Sequence, residues 1–172
     1  MPAIIPARIA VADANVLINL IHVQRLDLLA SLPGYEFVAP DDVILEVTDP
    51  AQRSALEAAL SAGHLRRDTL TDPKELARYA ELRQVMGAGE AACVTLAEAR
   101  GWLIASDEKR RFRREVNERL GSGRLVTTPG LFVLAIRAGV MTVEQADQAK
   151  GILERHRFRM SFPSFRDVFG NP

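Results

Sequence analysis

The sequence contains a single cysteine, three scattered histidines and no excess of either charge, and each scarcity argues against a class of protein. Cys93 has no partner for an intramolecular disulfide. His22, His64 and His156 lack metal-ligand spacing, so a zinc site is not expected. Because 22 Lys and Arg balance 22 Asp and Glu, no global positive field attracts nucleic acid from a distance. Any binding of nucleic acid must therefore be local.

A long hydrophobic run is also missing. The N-terminal stretch MPAIIPARIAVADANVLINLI is broken by two prolines, Arg8, Asp13 and Asn15, so it predicts neither a signal peptide nor a membrane span. A hydrophobic content of 48% in 172 residues indicates one globular domain over the whole chain. With the lone cysteine, these features predict a cytoplasmic protein with no membrane attachment.

Short apolar strands alternate with helices along the sequence. Strands are predicted over residues 8–12, 36–39, 65–70, 102–105 and 124–127. Helices are predicted from residue 16 until Pro33-Gly34, from Pro40 through residue 46, and over residues 51–62, 73–85, 88–100, 108–120, 129–138 and 142–155. The alternation predicts a three-layer α/β/α fold with a mostly parallel central sheet. The helical tail from about residue 142 ends in a segment from Phe158 that breaks the periodicity, so it is either a short packed helix or a partner surface.

Four acids follow or flank these elements. Asp13 ends the first strand, Asp107 follows the WLIA strand, Glu46 lies in the helix after Pro40, and Glu90 begins a helix rich in small residues. Because ligands of such sheets bind at the carboxyl ends of the strands, we expect the four acids to converge. Taken singly, each has a plainer explanation: the aspartates as helix caps, Glu46 as a solvated residue and Glu90 as a charge balancing the helix dipole.

Crowded carboxylates repel one another unless a cation neutralises them. Oxygen-only ligands suit Mg²⁺ or Mn²⁺. Such ions support phosphodiester hydrolysis by activating water and stabilising charge on the reacting oxygens. Acids alone can therefore carry the chemistry of a metal-dependent nuclease, and the case for one rests on the set of four and its order along the chain.

Four segments in order resemble the PIN-domain ribonucleases, particularly their toxin-like, VapC-like bacterial and archaeal branch. They are VADANVLINL, APDDVILEV, GAGEAACVTLAEARG and IASDEKRRFRRE, followed by VTTPGLFVLAIRAGVMT. The resemblance runs from about Ile9 to Met141 and makes Asp13, Glu46, Glu90 and Asp107 the metal-binding catalytic acids. Pro129 departs from the pattern and leaves Thr128 as a contact to a ligand or metal-bound water, a role also open to Asn15, which is equally well explained as a helix cap.

The resemblance further implies a PIN-like fold, an RNA substrate, endonucleolytic cleavage with Mg²⁺ or Mn²⁺, a homodimer, and the toxin role in a toxin–antitoxin pair with an antitoxin protein as partner. A basic run adjoins Asp107 and is predicted to hold RNA phosphates, although such a run is as often a solvated helix face. Its members are Lys109, Arg110, Arg111, Arg113 and Arg114. A looser basic set near the C-terminus is open to RNA or to a protein: Arg155, Arg157, Arg159 and Arg166.

The rival interpretation is a non-catalytic PIN-like module that binds RNA or protein and uses its acids as caps. A haloacid-type phosphatase expects a second aspartate where Asn15 stands, which argues against it. Residues 87–92, GAGEAA, match the dinucleotide-binding fingerprint G-x-G-x-x-G/A. A helical stretch precedes them, however, where that motif needs a strand.

Overall fold

The computed structural model describes residues 7–107 and 110–169. Five strands form one sheet: β1 Arg8–Ala12, β2 Tyr35–Pro40, β3 Arg66–Asp68, β4 Leu103–Ala105 and β5 Leu125–Val126. The helices are α1 Ala14–His22, α2 Leu28–Ser31, α3 Asp41–Glu46, α4 Pro50–Ser61, α5 Pro73–Leu82, α6 Ala88–Arg100, α7 Arg110–Leu120, α8 Thr128–Arg137, α9 Val143–Arg155 and α10 Phe165–Val168. In the described ranges, no helix is both long and apolar enough to cross a membrane.

The sheet has the order β3-β2-β1-β4-β5, and every neighbouring pair is parallel. Helix α1 contacts α4 and α9. Helix α6 contacts α5 and α7. These groups cover the sheet as two outer layers. The predicted three-layer α/β/α fold is therefore confirmed, since parallel strands require crossover helices that bury both faces of a sheet.

β1 lies at the centre of the sheet. It pairs with β2 on one side and with β4 on the other, and the side chains of Ala10, Val11 and Ala12 are fully buried. The chain therefore leaves β1 toward one edge through β2 and β3, and returns to the other edge through β4 and β5. This reversal makes the carboxyl ends of β1 and β4 the topological switch point where such folds bind ligands.

The long first helix predicted between residue 16 and Pro33 is wrong, because the structure divides it into α1 and α2. Gln24 takes a φ of 56°, a left-handed conformation that few residues other than glycine adopt. Leu26, Leu28 and Leu29 beyond the break are still buried. The apolar spacing thus identified the buried residues correctly but carried no information about the continuity of the backbone.

The tail after α9 folds back onto the helices as the short α10. Phe165 is fully buried and meets the rings of Phe132 and Phe162 edge to face, with centroids 5.8 and 4.9 Å apart. Asp147 of α9 accepts hydrogen bonds from the Ser164 hydroxyl at 2.7 Å and the Phe165 N–H at 2.8 Å. Of the two possibilities for the tail, the packed helix is therefore the one observed for these residues.

Replacing Phe165 tests how firmly α10 belongs to the core. Phe165→Ala is expected to lower the free energy of unfolding by about 3–5 kcal/mol, because it removes a fully buried ring and leaves a cavity. Denaturant unfolding followed by circular dichroism measures this change. Phe169→Ala is the matched control, since that ring is 39% exposed. Equal losses in the two variants would contradict the docking of α10.

Candidate active site

Asp13 directly follows β1 and caps α1. Its carboxylate is 3% exposed and accepts hydrogen bonds from the Ala14 N–H at 2.8 Å and from the Ser106 hydroxyl at 3.1 Å. The register of the sheet aligns Ala12 with Ala105, so Ser106 is the neighbour of Asp13 across the strand pair. The cap and the cross-strand bond together hold this carboxylate at the carboxyl ends of β1 and β4.

Asp107 lies two residues after β4 and is held by α1 and α8. It accepts the Thr128 N–H at 2.7 Å, the Thr128 hydroxyl, and the Asn19 side-chain amide at 3.0 Å. Its own N–H donates to the Asn15 side chain at 3.2 Å. Asn15 therefore acts here on the backbone of Asp107, while Thr128 and Asn19 act directly on the carboxylate.

Glu46 ends α3 and reaches the first turn of α6. Its Oε1 accepts the Gly89 N–H at 2.8 Å, which is a favourable position for an anion because N–H groups at a helix start are otherwise unpaired. A Cβ on Gly89 would lie 2.6 Å from Oε1 and 2.8 Å from Oε2. Only glycine permits this approach of the carboxylate to the backbone.

Glu90 occupies the same helix start. It is the third residue of α6, and its Oε2 accepts the N–H of Gly87, the N-cap residue, at 3.2 Å. Two carboxylates therefore meet the amino end of α6 from different directions. The positive end of the helix dipole offsets part of their mutual repulsion.

The buried thiol of Cys93 lies in the field of several acids. Burial raises the pKa of Cys93 well above its ordinary value, and the charges of Asp13, Glu46, Glu90 and Asp42 raise it further. Asp13 and Asp107 follow the adjacent strands β1 and β4, and Glu46 and Glu90 lie at the amino end of α6, three residues or more before Cys93.

The acids form a shared anionic edge without forming a single coordination shell. Within the parts of the chain that the structure describes, no group of three His, Cys, Asp or Glu side chains is arranged to hold a metal ion. Each of the four acids instead accepts a backbone N–H. Their donor atoms are all oxygen, which is the chemistry that Mg²⁺ and Mn²⁺ prefer. These residues fit such an ion by donor type.

The predicted phosphate-binding residues lie on α7, except Lys109, which is outside the described residues. Arg111 donates to the Val85 carbonyl at 2.8 Å and so ties α7 to the segment that precedes Glu90. Arg114 lies 3.9 Å from Glu118, and both side chains are about two-thirds exposed, at 71% and 65%. Arg110 and Arg113 are exposed. Phosphate binding by this run stays a prediction, and Arg111 already has a structural role.

Sequence reasoning missed three residues at this edge, Asn19, Ser106 and Asp42. Asn19 is 8% exposed and follows Asn15 by four residues, so both lie on one face of α1. A second asparagine at that spacing on a mainly apolar helix was the available signal. Ser106 and Asp42 had none beyond adjacency to Asp107 and Pro40, because their contacts depend on strand pairing and helix packing.

The fold and this edge define a class: a parallel three-layer α/β protein with carboxylates gathered at the switch point of its sheet. A family model described as a PIN domain, DUF3368, matches residues 9–169. The chain therefore belongs to the PIN-domain family. No curated protein matches it.

Several solved structures are similar to the chain, including these two. One is a structure of VapBC2 from Rickettsia felis bound to a DNA fragment from their promoter, with a TM-score of 0.50, 18% identity, and coverage of 69% of this chain and 98% of that chain. The other is PAE2754 from Pyrobaculum aerophilum, with a TM-score of 0.49, 14% identity, and coverage of 78% of this chain and 91% of that chain. At 18% identity the first similarity supports the fold.

Gly89→Ala tests the close contact between Glu46 and α6. The new methyl group displaces the carboxylate, and the lost charge-assisted bond is expected to outweigh the gain in helix propensity and lower the free energy of unfolding by about 1 kcal/mol. Gly151→Ala is the matched control, because that glycine lies within α9 and a Cβ there meets nothing within 4 Å. The control is expected to gain up to about 1 kcal/mol from helix propensity. Chemical denaturation of both variants makes the comparison, and equal gains would exclude the contact.

Proposed function

We propose that the protein is a metal-dependent endoribonuclease that hydrolyses RNA phosphodiester bonds, and that it is the toxin of a toxin–antitoxin pair. The observation that carries the enzymatic part is the placement of Asp13 and Asp107 at the carboxyl ends of the adjacent strands β1 and β4, with Glu46 and Glu90 at the amino end of α6. Membership of the PIN-domain family supports nuclease chemistry at this position.

The four acids are proposed to hold the ion. When bound, Mg²⁺ or Mn²⁺ lowers the pKa of water and neutralises charge on the phosphate oxygens. Asp13 supplies a buried carboxylate oriented by its own cap, and Asp107 supplies one oriented by Asn19 and Thr128. These fixed partners favour ion binding, because a carboxylate that is already held in place loses little further conformational entropy when it binds the ion.

The exposed arginines of α7, with Lys109, are proposed to hold the RNA backbone. They follow Asp107 along the chain, and their charge is opposite to that of the phosphates. Contacts of this kind position the strand beside the acids without reading its sequence. Binding of RNA by α7 should therefore weaken steeply with salt.

The biological role is proposed from the family resemblance. VapBC2 of Rickettsia felis, whose fold is similar, is bound in its structure to a DNA fragment from their promoter, and the VapC-like branch that the sequence resembles is toxin-like. By analogy we propose an antitoxin protein as partner, a homodimer of this chain and a cytoplasmic location. A small antitoxin gene beside the gene for this chain would support the pairing.

Asp13→Asn tests the nuclease. The amide keeps the shape and can still cap α1, but it removes the negative charge. Cleavage of a fluorescent single-stranded RNA with Mn²⁺ is expected to fall at least about 100-fold, while the melting temperature stays within a few degrees. Asp27→Asn is the matched control, because that aspartate pairs with Arg25 and is 46% exposed. Full activity in Asp13→Asn, or in excess EDTA, would refute the mechanism.

A second candidate function is a non-catalytic PIN-like module that binds RNA or protein. The observation that favours it is that each acid already accepts a backbone N–H, and that no three of the described ligand side chains meet in a metal-binding group. In that case the four acids serve as helix caps and do not bind a metal ion.

Titration with Mn²⁺ separates the two functions. An ion that binds only the folded protein raises its stability by mass action, by about 2.7 kcal/mol at 100 times the dissociation constant. The nuclease proposal therefore expects the melting temperature to rise with Mn²⁺ in the natural protein, and much less in Asp13→Asn. Identical melting curves with and without Mn²⁺ would favour the binding module.

A further inference from the structure

A cavity of about 280 Å³ opens at the carboxyl ends of β2 and β3, beside the candidate active site. Its apolar side is formed by Leu76, Tyr79 and Ala92, and its polar side carries the carboxylates of Asp41, Asp42 and Asp68. The volume is close to the lower end of the range for small-molecule pockets, roughly 300 Å³. A single aromatic ring system is a ligand of suitable size.

The cavity adjoins the candidate active site along α3. Asp42, which lines the cavity, precedes Glu46 by four residues on that helix. Residues four apart lie on the same face of a helix. The charge of Asp42 also reaches the thiol of Cys93, together with those of the predicted acids. A nucleotide next to a phosphate at the acids would therefore lie within reach of this cavity.

Tyr79 gives the cavity a flat apolar wall. Its ring is half-buried on α5, three residues after Leu76, which is 44% exposed. Burial raises the pKa of Tyr79, and a hydrogen bond with Asp42 and the charge of Asp42 raise it further. The hydroxyl thus stays protonated and oriented toward Asp42. Unstacked RNA bases bind to aromatic surfaces of this kind.

The polar side of the cavity offers acceptors. Arg67 pairs with Asp41, and this hydrogen bond holds the pKa of Asp41 below its usual value. Asp68 accepts from Arg100 at 2.8 Å. A carboxylate accepts at several lone pairs and does not donate, so the acceptor positions left after these contacts suit the amino groups of cytosine, adenine and guanine, whereas uracil offers only one ring N–H between two carbonyl groups. The carboxylates also repel phosphate, so a base would enter this space with its backbone outside.

We propose that this cavity binds one unpaired RNA base carrying an exocyclic amino group, and that Tyr79 and Asp42 determine the preference for such a base over uracil. The inference rests on the proposed RNA substrate. It assigns to α5 a role in choosing the nucleotide next to the cleaved bond, a choice that the phosphate contacts of α7 do not make.

Binding of cytidine and uridine 5′-monophosphates to the natural protein tests the preference without any cleavage. The two nucleotides differ only in the base edge, and saturation-transfer NMR detects which base protons contact the protein. We expect signals from the cytosine ring and an affinity about tenfold higher for the cytidine nucleotide, a difference of about 1.4 kcal/mol. Equal affinities, or contacts from the ribose alone, would overturn the proposal.

Variants of the two tyrosines identify the surface. Tyr79→Ala removes the stacking wall and is expected to weaken binding of the cytidine nucleotide about tenfold. Tyr35→Ala is the matched control, because Tyr35 lines a different cavity between β2 and α4. Should Tyr79→Ala fail to fold, Asp42→Asn tests the same site, since an amide also donates and should reduce the preference for cytidine over uridine. An unchanged preference in the folded variants would exclude the cavity.

The two proposals fail in distinguishable ways. Cleavage that persists in Asp13→Asn or in EDTA would refute the nuclease proposal and would leave the nucleotide titrations unaffected. Equal binding of the cytidine and uridine nucleotides, in a protein whose cleavage still depends on Asp13, would refute the base site alone. Cleavage of RNAs that differ only in one base next to the cleaved bond tests both proposals together. Tyr79→Ala should remove the preference among these RNAs, while Tyr35→Ala should retain it.

Discussion

The pairing of β1 with β2 on one side and β4 on the other decides where every polar group of interest lies. Because all the strands are parallel, their carboxyl ends share one edge, and the reversal of strand order at β1 makes the ends of β1 and β4 the position where such folds bind ligands. Asp13 and Asp107 follow these adjacent strands. A different strand order would separate them even with the same local structure.

The edge accumulates negative charge, and the surrounding backbone compensates for it. Glu46 and Glu90 meet the amino end of α6, where Gly89 and Gly87 donate N–H groups. Gly89 has a further constraint, since any side chain would collide with the Glu46 carboxylate. The N–H groups at the start of α6 thus offset part of the repulsion between these carboxylates.

The C-terminal helices complete the site indirectly. Thr128, whose backbone and hydroxyl hold Asp107, begins α8. Phe132 lies one turn further along α8 and packs against Phe165 of α10. The tail therefore stabilises the helix that positions Thr128, and its packing connects the core to the carboxylate at the edge. Helix α8 thus packs against α10 through Phe132 and orients Asp107 through Thr128.

The sequence by itself determined the succession of strands and helices, the parallel three-layer fold and the places of Asp13 and Asp107, because strand ends and helix starts are marked by local patterns. The bounds of α6 agree with the sequence prediction at both ends. Tertiary structure alone decided the break between α1 and α2, the Gly89–Glu46 contact and the grip of Asn19 on Asp107. These depend on segments up to 88 residues apart, and local periodicity carries no record of which distant surfaces will pack together.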